Sequence, residues 1–181
     1  MIVVTSMSQR GYERYGKAFL EGYKKHCALP LIVYSEDALP IDDFELRHLN
    51  AQKEYLQFRE TSHGGPDYRW DADRFCHKVF AITDSALRRN KRLLWLDADV
   101  EFLEDLDEAF LTKLCPDDVM GSYLGRREMP TSECGWVYYN LEQGADKFLD
   151  RFREIYVSGE IYDHLEWHDS FIFDRVREEI G

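Results

Sequence analysis

The stretch "RLLWLDADVEF", residues 92 to 102, constrains this chain more than any other. Leu93, Leu94, Trp95 and Leu96 form an unbroken apolar run, the pattern of a strand buried on both faces. Asp97 and Asp99 follow at once, separated only by Ala98. Residues two apart on an extended chain point to the same side, so the two carboxylates are expected to converge if the strand runs on through Ala98. Close carboxylates beside an apolar core repel, and one tends to take up a proton. A shared divalent cation removes the conflict, and an all-oxygen set suits Mg²⁺ or Mn²⁺ better than zinc. Such an ion keeps positions for phosphate oxygens, so the pair points to a phosphorylated substrate. The competing use is structural: either Asp could cap a helix expected near 105 to 114, or open a turn.

The rest of the chain supplies the setting for that strand. "IVVTS" (2 to 6) and "LIVYS" (31 to 35) read as further buried strands, and "DVMGSYL" (118 to 124) and "CGWVYYNL" (134 to 141) as two more. Tyr12, Tyr15, Phe19 and Tyr23 recur at helical spacing, with Ser8 as a cap. "DFELRHLNAQKEYLQF" (43 to 58) suggests a polar surface helix, and "TSHGGPD" (61 to 67) carries loop chemistry. Helices are expected from about Trp70 to Arg89, from 145 to 157 and from 168 to 180. Strands alternating with helices predict an α/β layered fold with a mostly parallel central sheet. With 181 residues and no dividing low-complexity segment, residues 1 to 181 are expected to form a single domain. In such folds ligands bind beyond the carboxyl ends of the strands, where Asp97 and Asp99 lie.

Charge narrows the choice of partner. The formal net charge is −12, which argues against nucleic acid, whose phosphates require clustered Lys and Arg. A small anionic ligand needs only local cations. The expected helix after Trp70 supplies them, because Asp71, Arg74 and Lys78 fall within a strip about 60° wide. A solvated, self-paired face is the ordinary outcome for such a strip. Cys27, Cys76, Cys115 and Cys134 are widely spaced and read as reduced, buried thiols. The start "MIVVTSMSQR" has no basic region of a signal peptide, and no apolar run approaches the roughly 18 residues of a membrane helix. The expectation is a cytoplasmic protein without a transmembrane segment.

The D-x-D strand, preceded by a helix carrying R-x-x-x-K, resembles the GT-A glycosyltransferases, especially small bacterial and phage members near the glycogenin-like group. "IVVTS" resembles their first nucleotide-binding strand, "ECGWVYYNL" the strand beside the sugar pocket, and "WHDSFIFDRV" the later segment whose Asp faces the reacting sugar. The resemblance implies a GT-A-like fold and transfer of a sugar from a nucleotide-sugar donor, a UDP-hexose, to a saccharide or other hydroxyl acceptor. It implies that Thr5 and Ser6 line the uridine and ribose site, and that Asp71, Arg74 and Lys78 approach the donor. Asp97 and Asp99 would hold Mn²⁺ or Mg²⁺ on the diphosphate, with Ala98 among the donor-contacting positions. Gly135 would admit a sugar close to the backbone, beside Trp136, and Asp169 would be the catalytic base. Asp169 also suits a cap of the last helix. Trp70, Trp136 and Trp167 offer rings for stacking on sugar, with core packing as the competing use. His164 and His168 in "HLEWH" read as a satisfied pair, not a zinc site, since Glu166 falls off their shared helical face.

Two departures bear on function. A haloacid-dehalogenase-type phosphatase also begins with a strand and D-x-D, but there Thr or Val normally follows two residues after the second Asp. Here that residue is Glu101, and about half the chain precedes the motif. Many GT-A enzymes complete the metal site from a segment after the last helix, whereas this sequence stops at Gly181, so a third ligand is expected from elsewhere or from a longer form. The rival expectation is a non-catalytic nucleotide-sugar- or saccharide-binding module of the same fold.

Overall fold

The structure, a computed structural model, describes residues 1–88, 91–126 and 128–181. Six strands build one sheet: β1 (Ile2–Ser6), β2 (Leu31–Ser35), β3 (Glu45–His48), β4 (Arg92–Leu96), β5 (Gly121–Leu124) and β6 (Glu133–Asn140). Their order is β3-β2-β1-β4-β6-β5. The first four are mutually parallel, whereas β6 runs antiparallel to both β4 and β5. Helices α1 (Gln9–Gly11), α2 (Lys17–His26), α3 (Lys53–Thr61), α4 (Ala72–Leu87), α5 (Glu108–Leu114), α6 (Ala145–Val157) and α7 (Asp169–Ile180) cover the sheet. This is the expected α/β layered fold.

Alternation along the buried strands divides the interior in two. Val4, Leu93, Trp95 and Val137 face a core completed by Cys76, Val79 and Ile82 of α4, Phe148 and Phe152 of α6, and Ile172 and Val176 of α7. Val3, Val33, Leu94, Leu96 and Tyr138 face a second core with Phe19 and Tyr23 of α2 and Leu111 of α5. Burying each such side chain stabilises the fold by roughly 1.5–3 kcal/mol, so the central strands are held from both faces. The four cysteines are free and buried. Among the described residues no helix is long and apolar enough to cross a membrane.

Two expectations need correction. The segment 43 to 58 is not one helix: Glu45–His48 pairs with β2 as a parallel edge strand, and a 3₁₀ turn (Leu49–Ala51) intervenes before α3. Sheet pairing, with Leu46 against the second core and Arg47 against Tyr34, overrides the helical propensity of this stretch. The helix expected from Trp70 starts at Ala72, because Asp71 caps it and Tyr68–Trp70 forms a separate 3₁₀ turn. Its expected end, Arg89, lies outside the described residues. The first helix follows its expected cap and spacing, with one added feature. It is continuous from Ser8, whose hydroxyl accepts from Gly11 N, but residues Tyr12–Gly16 wind as a π-helical turn between α1 and α2. Such turns cost regular hydrogen bonding and recur at functional sites.

Candidate active site

The strand β4 ends at Leu96, and the chain then turns. Val100 N donates to Asp97 O at 3.3 Å, so Ala98 and Asp99 lie in a turn and not on an extended strand. The convergence expected from period-two geometry is therefore replaced by a split: Asp97 is partly buried, Ala98 packs into the second core, and Asp99 is exposed. Neither acid caps the following helix, since Asp107 accepts from Phe110 N at 2.7 Å and fills that role.

Asp97 stands on the Trp95 face of the strand, and the Trp95 indole Nε1 donates to its Oδ1 at 2.6 Å. Lys78, projecting from α4, reaches the same oxygen at 2.9 Å. Its ammonium also donates to Asp169 Oδ2 at 2.5 Å and to the Cys134 carbonyl at 3.0 Å. Lys78 lies 5.4 Å from the Trp95 ring centroid as well. Burial works against the Lys78 charge, but Asp169 and then Asp97 outweigh it, and its pKa stands above the usual lysine value. Burial pushes Asp97 up, while Lys78 pulls it down. Four elements thus meet at one cation: α4, β4, the start of β6 and the start of α7.

Asp169 is 4% exposed and is not the cap of α7; His168 is, its Nδ1 accepting from Phe171 N at 3.4 Å. His168 also bonds Glu166 at 2.8 Å, and His164 lies 3.6 Å from Glu160. Gly135 sits opposite the acids. Its carbonyl accepts from Asp97 N at 2.9 Å, and a Cβ built there would stand 3.3 Å from Asp97 Oδ2 and 3.1 Å from Glu133 Oε1. Trp136 pairs with Leu96 across the sheet and lines the cleft beside the acids. Trp70 and Trp167 lie elsewhere, donating to the carbonyls of Leu165 and His164, with Trp167 packed edge-on against His63 and Tyr162.

The remaining expected residues surround this point at varying depth. Asp71 accepts from Arg74 N at 3.1 Å as the cap of α4, and Arg74 is exposed over the Phe75 ring. Thr5 is wholly buried with no hydrogen-bond partner for its hydroxyl, and Ser6 is half-buried at the end of β1. An unpaired interior hydroxyl costs about 1–3 kcal/mol, and a bound ligand or small local shift can relieve it.

Residues that the sequence did not mark also belong here. Trp95 fixes Asp97, and Glu133 bonds Gly135 N at 2.9 Å. Tyr15, within the π-helical turn, feels the same charges: burial, then Asp99 and Asp97, raise its pKa, and Arg74 opposes them. Trp95 was discoverable, standing two residues before Asp97 on one strand face. Tyr15 was not, because nothing in its helical spacing distinguishes a site residue from a core residue.

The oxygen donors present fit a divalent cation only in part. Asp97 Oδ1 is engaged, Oδ2 faces Gly135, and Asp99 is exposed. Among the described residues no group of three or more His, Cys, Asp or Glu side chains is gathered to hold a metal. Two carboxylates suit an ion that draws its other ligands from substrate oxygens.

No protein-family model matches the chain, and no curated protein matches it in sequence. Solved structures do. The apo form of glycosyltransferase GlyE from Streptococcus pneumoniae TIGR4 superposes with a TM-score of 0.63 at 14% identity, over 98% of this chain and 43% of that one. A second GlyE structure gives 0.60 at 15% identity, over 97% and 42%. Mouse xyloside xylosyltransferase 1, apo form, gives 0.59 at 12% identity, over 96% and 81%. The chain has a glycosyltransferase fold. In that glycosyltransferase fold Asp97, Asp99, Lys78 and Asp169 lie at the carboxyl end of the parallel strands, where an α/β sheet presents its ligand crevice. The chain spans less than half the length of GlyE.

Proposed function

We propose that this protein transfers a sugar from a nucleotide-sugar donor, a UDP-hexose, to an acceptor hydroxyl, with Mn²⁺ or Mg²⁺ as cofactor. The observation that carries this reading is the meeting of Asp97, Lys78 and Asp169 beside the exposed Asp99, next to a cleft that both Asp97 and Asp99 line, in a glycosyltransferase fold. The narrower likeness to small bacterial and phage members near the glycogenin-like group rests on the sequence motifs. Four free buried thiols suit a reducing compartment, the cytoplasm.

The difficult event in glycosyl transfer is departure of the nucleoside diphosphate, whose charge grows as the bond breaks. Asp97 and Asp99 would hold the metal, which supplies positive charge to the diphosphate when bound. Lys78 is the protein's own fixed cation there. Trp95 and Asp169 hold it and Asp97 in register, so little reorganisation is needed as charge develops. Arg74, exposed at the start of α4, is free to reach the diphosphate, and Ser6 and Tyr15 border the nucleotide side. Gly135 and Ala98 keep the backbone open to the donor. Asp169 is the base in this reading, although Lys78 holds its Oδ2, so accepting a proton requires that pair to open.

That engagement favours a second reading, a module of the same fold that binds nucleotide-sugar without turnover. Calorimetry with UDP, with and without Mn²⁺, followed by nucleotide release across a donor panel with candidate acceptors, separates the two. Metal-strengthened UDP binding with release supports the enzyme, and binding without release supports the module. UDP affinity unchanged by chelator removes the metal from both.

A further inference from the structure

A cleft of about 730 Å³ continues from the acidic turn, between the segment that follows β4 and the β5–β6 hairpin. Asp97, Asp99, Gly135 and Trp136 are part of its lining, so an occupant can touch the acidic turn. The apolar part of its wall is built by Val100, Phe102, Leu103, Phe110, Leu114 and Leu124. Leu103 is 83% exposed, and Phe110 and Leu124 are exposed as well. Single exposed apolar side chains are ordinary, but several gathered around one concavity mark a binding surface.

The polar part of the lining carries one sign among the described residues. Glu101, Glu104, Asp105 and Glu133 join Asp97 and Asp99, and no described Lys, Arg or His side chain lines the cleft. Asp105 bonds His26 and Glu133 pairs with Arg126 at the margin. An anionic occupant would be repelled by the lining acids. A long, purely polar saccharide would leave its hydroxyls against an apolar wall without partners.

We propose that this cleft seats the acceptor, and that the acceptor is an uncharged or cationic hydroxyl compound carrying an apolar body, aromatic or aliphatic, beside its reacting group. The inference rests on the donor reading above and adds the substrate class. The apolar body packs against Leu103, Phe110 and Leu124, while the hydroxyl end reaches Asp99 and Gly135.

Binding of defined probes to the whole chain tests this without requiring turnover. Phenyl β-glucoside, octyl β-glucoside below its micelle concentration, methyl β-glucoside and phenyl β-glucuronide would be titrated in the presence of UDP and Mn²⁺. Phenyl and octyl glucosides are expected to bind at least about tenfold more tightly than methyl glucoside, as burial of an apolar group of that size implies. Phenyl glucuronide should bind more weakly than phenyl glucoside. Leu103→Ser and Phe110→Ser should each weaken phenyl glucoside roughly fivefold to tenfold and leave UDP affinity unchanged. Leu103 is so exposed that its replacement does not threaten folding, which keeps the test decisive if the Phe110 variant unfolds. Methyl glucoside binding as tightly as the apolar probes, preference for the glucuronide, or insensitivity to Leu103→Ser would overturn the proposal. Phenyl glucoside binding in a chain that does not bind UDP would support the cleft and sink the donor reading instead.

Discussion

The Lys78 ammonium donates to the Asp169 carboxylate at 2.5 Å across 91 residues of sequence, tying the middle of α4 to the first turn of α7. A buried pair of this kind contributes little when complete, and much is lost when one partner is removed. Lys78→Met would leave Asp97 and Asp169 facing one another in a poorly solvated corner. The variant should lose about 3–5 kcal/mol at pH 7. The sign follows from the carboxylates. Asp97 already titrates above its ordinary value, and without the lysine the folded state binds protons more readily still. The deficit should therefore be largest at neutral pH and shrink as pH falls. Urea unfolding of both proteins at pH 7 and near pH 4 measures it; an equal deficit at both would contradict this account.

Gly135→Ala places a methyl 3.3 Å from Asp97 Oδ2 and 3.1 Å from Glu133 Oε1. The fold should tolerate this, with a stability change within about 1 kcal/mol, since alanine restrains the unfolded chain. UDP binding in Mn²⁺ should weaken by about tenfold, because the carboxylate oxygen facing the glycine loses its room. Calorimetry and thermal unfolding on the same preparation separate the two effects. Unchanged UDP affinity would show that Asp97 Oδ2 does not serve the donor.

Tyr15→Phe removes a hydroxyl that sits within the field of Asp99, Asp97 and Arg74. Loss of one hydrogen bond to a ligand is worth about 1 kcal/mol, so UDP affinity should fall roughly fivefold with little change in thermal stability. Tyr12→Phe, on the same π-helical turn but directed to Pro40 O at 3.5 Å, is the control. Equal effects from both changes would return Tyr15 to a packing role.

Away from the cleft, Glu36 ties the end of β2 to α3 and α4. It accepts from the Tyr55 hydroxyl at 2.5 Å and meets His77 Nε2 at 2.9 Å. The His77 bond, then the Tyr55 bond, outweigh burial and hold its pKa down at about 2 against an ordinary 4.5. A lowered folded value means the group stabilises the protein above pH 4.5, and the contribution is lost as pH falls toward 2. Its size is about 3 kcal/mol. Glu36→Gln should flatten the acid limb of a stability–pH curve between pH 4.5 and 2, and an unaltered limb would count against it.

The strands and helices that carry the site were legible because each buries a continuous or strictly periodic apolar set. Leu93 to Leu96 admits few alternatives, and Phe148, Phe152 and Ile155 mark the buried face of α6. The edge strand Glu45–His48 was hidden because its stability comes from the ladder to β2, a long-range partner that local pattern does not encode. At the site, spacing brought Asp97 to the strand end and Lys78 to its neighbourhood. It left the turn at which Asp97 and Asp99 part company as one alternative, and did not reveal that Asp169 is an internal partner of Lys78. Both facts depend on where β6 and α7 arrive, which the residues around the acids do not specify.

The reversal of β6 against β4 has an outcome for how such a chain can diversify. Because the two strands run in opposite directions, the exit of one and the entrance of the other meet at the same rim, Asp97 beside Gly135. The connections leading away from that rim, 100 to 107 and the link from β5 to β6, can lengthen, shorten or change composition without shifting a single sheet pairing. Lys78, Trp95 and the parallel strands stand behind them, fixed by both cores. New acceptors can thus be sampled by loop exchange while the half of the site that grips the leaving group is inherited intact.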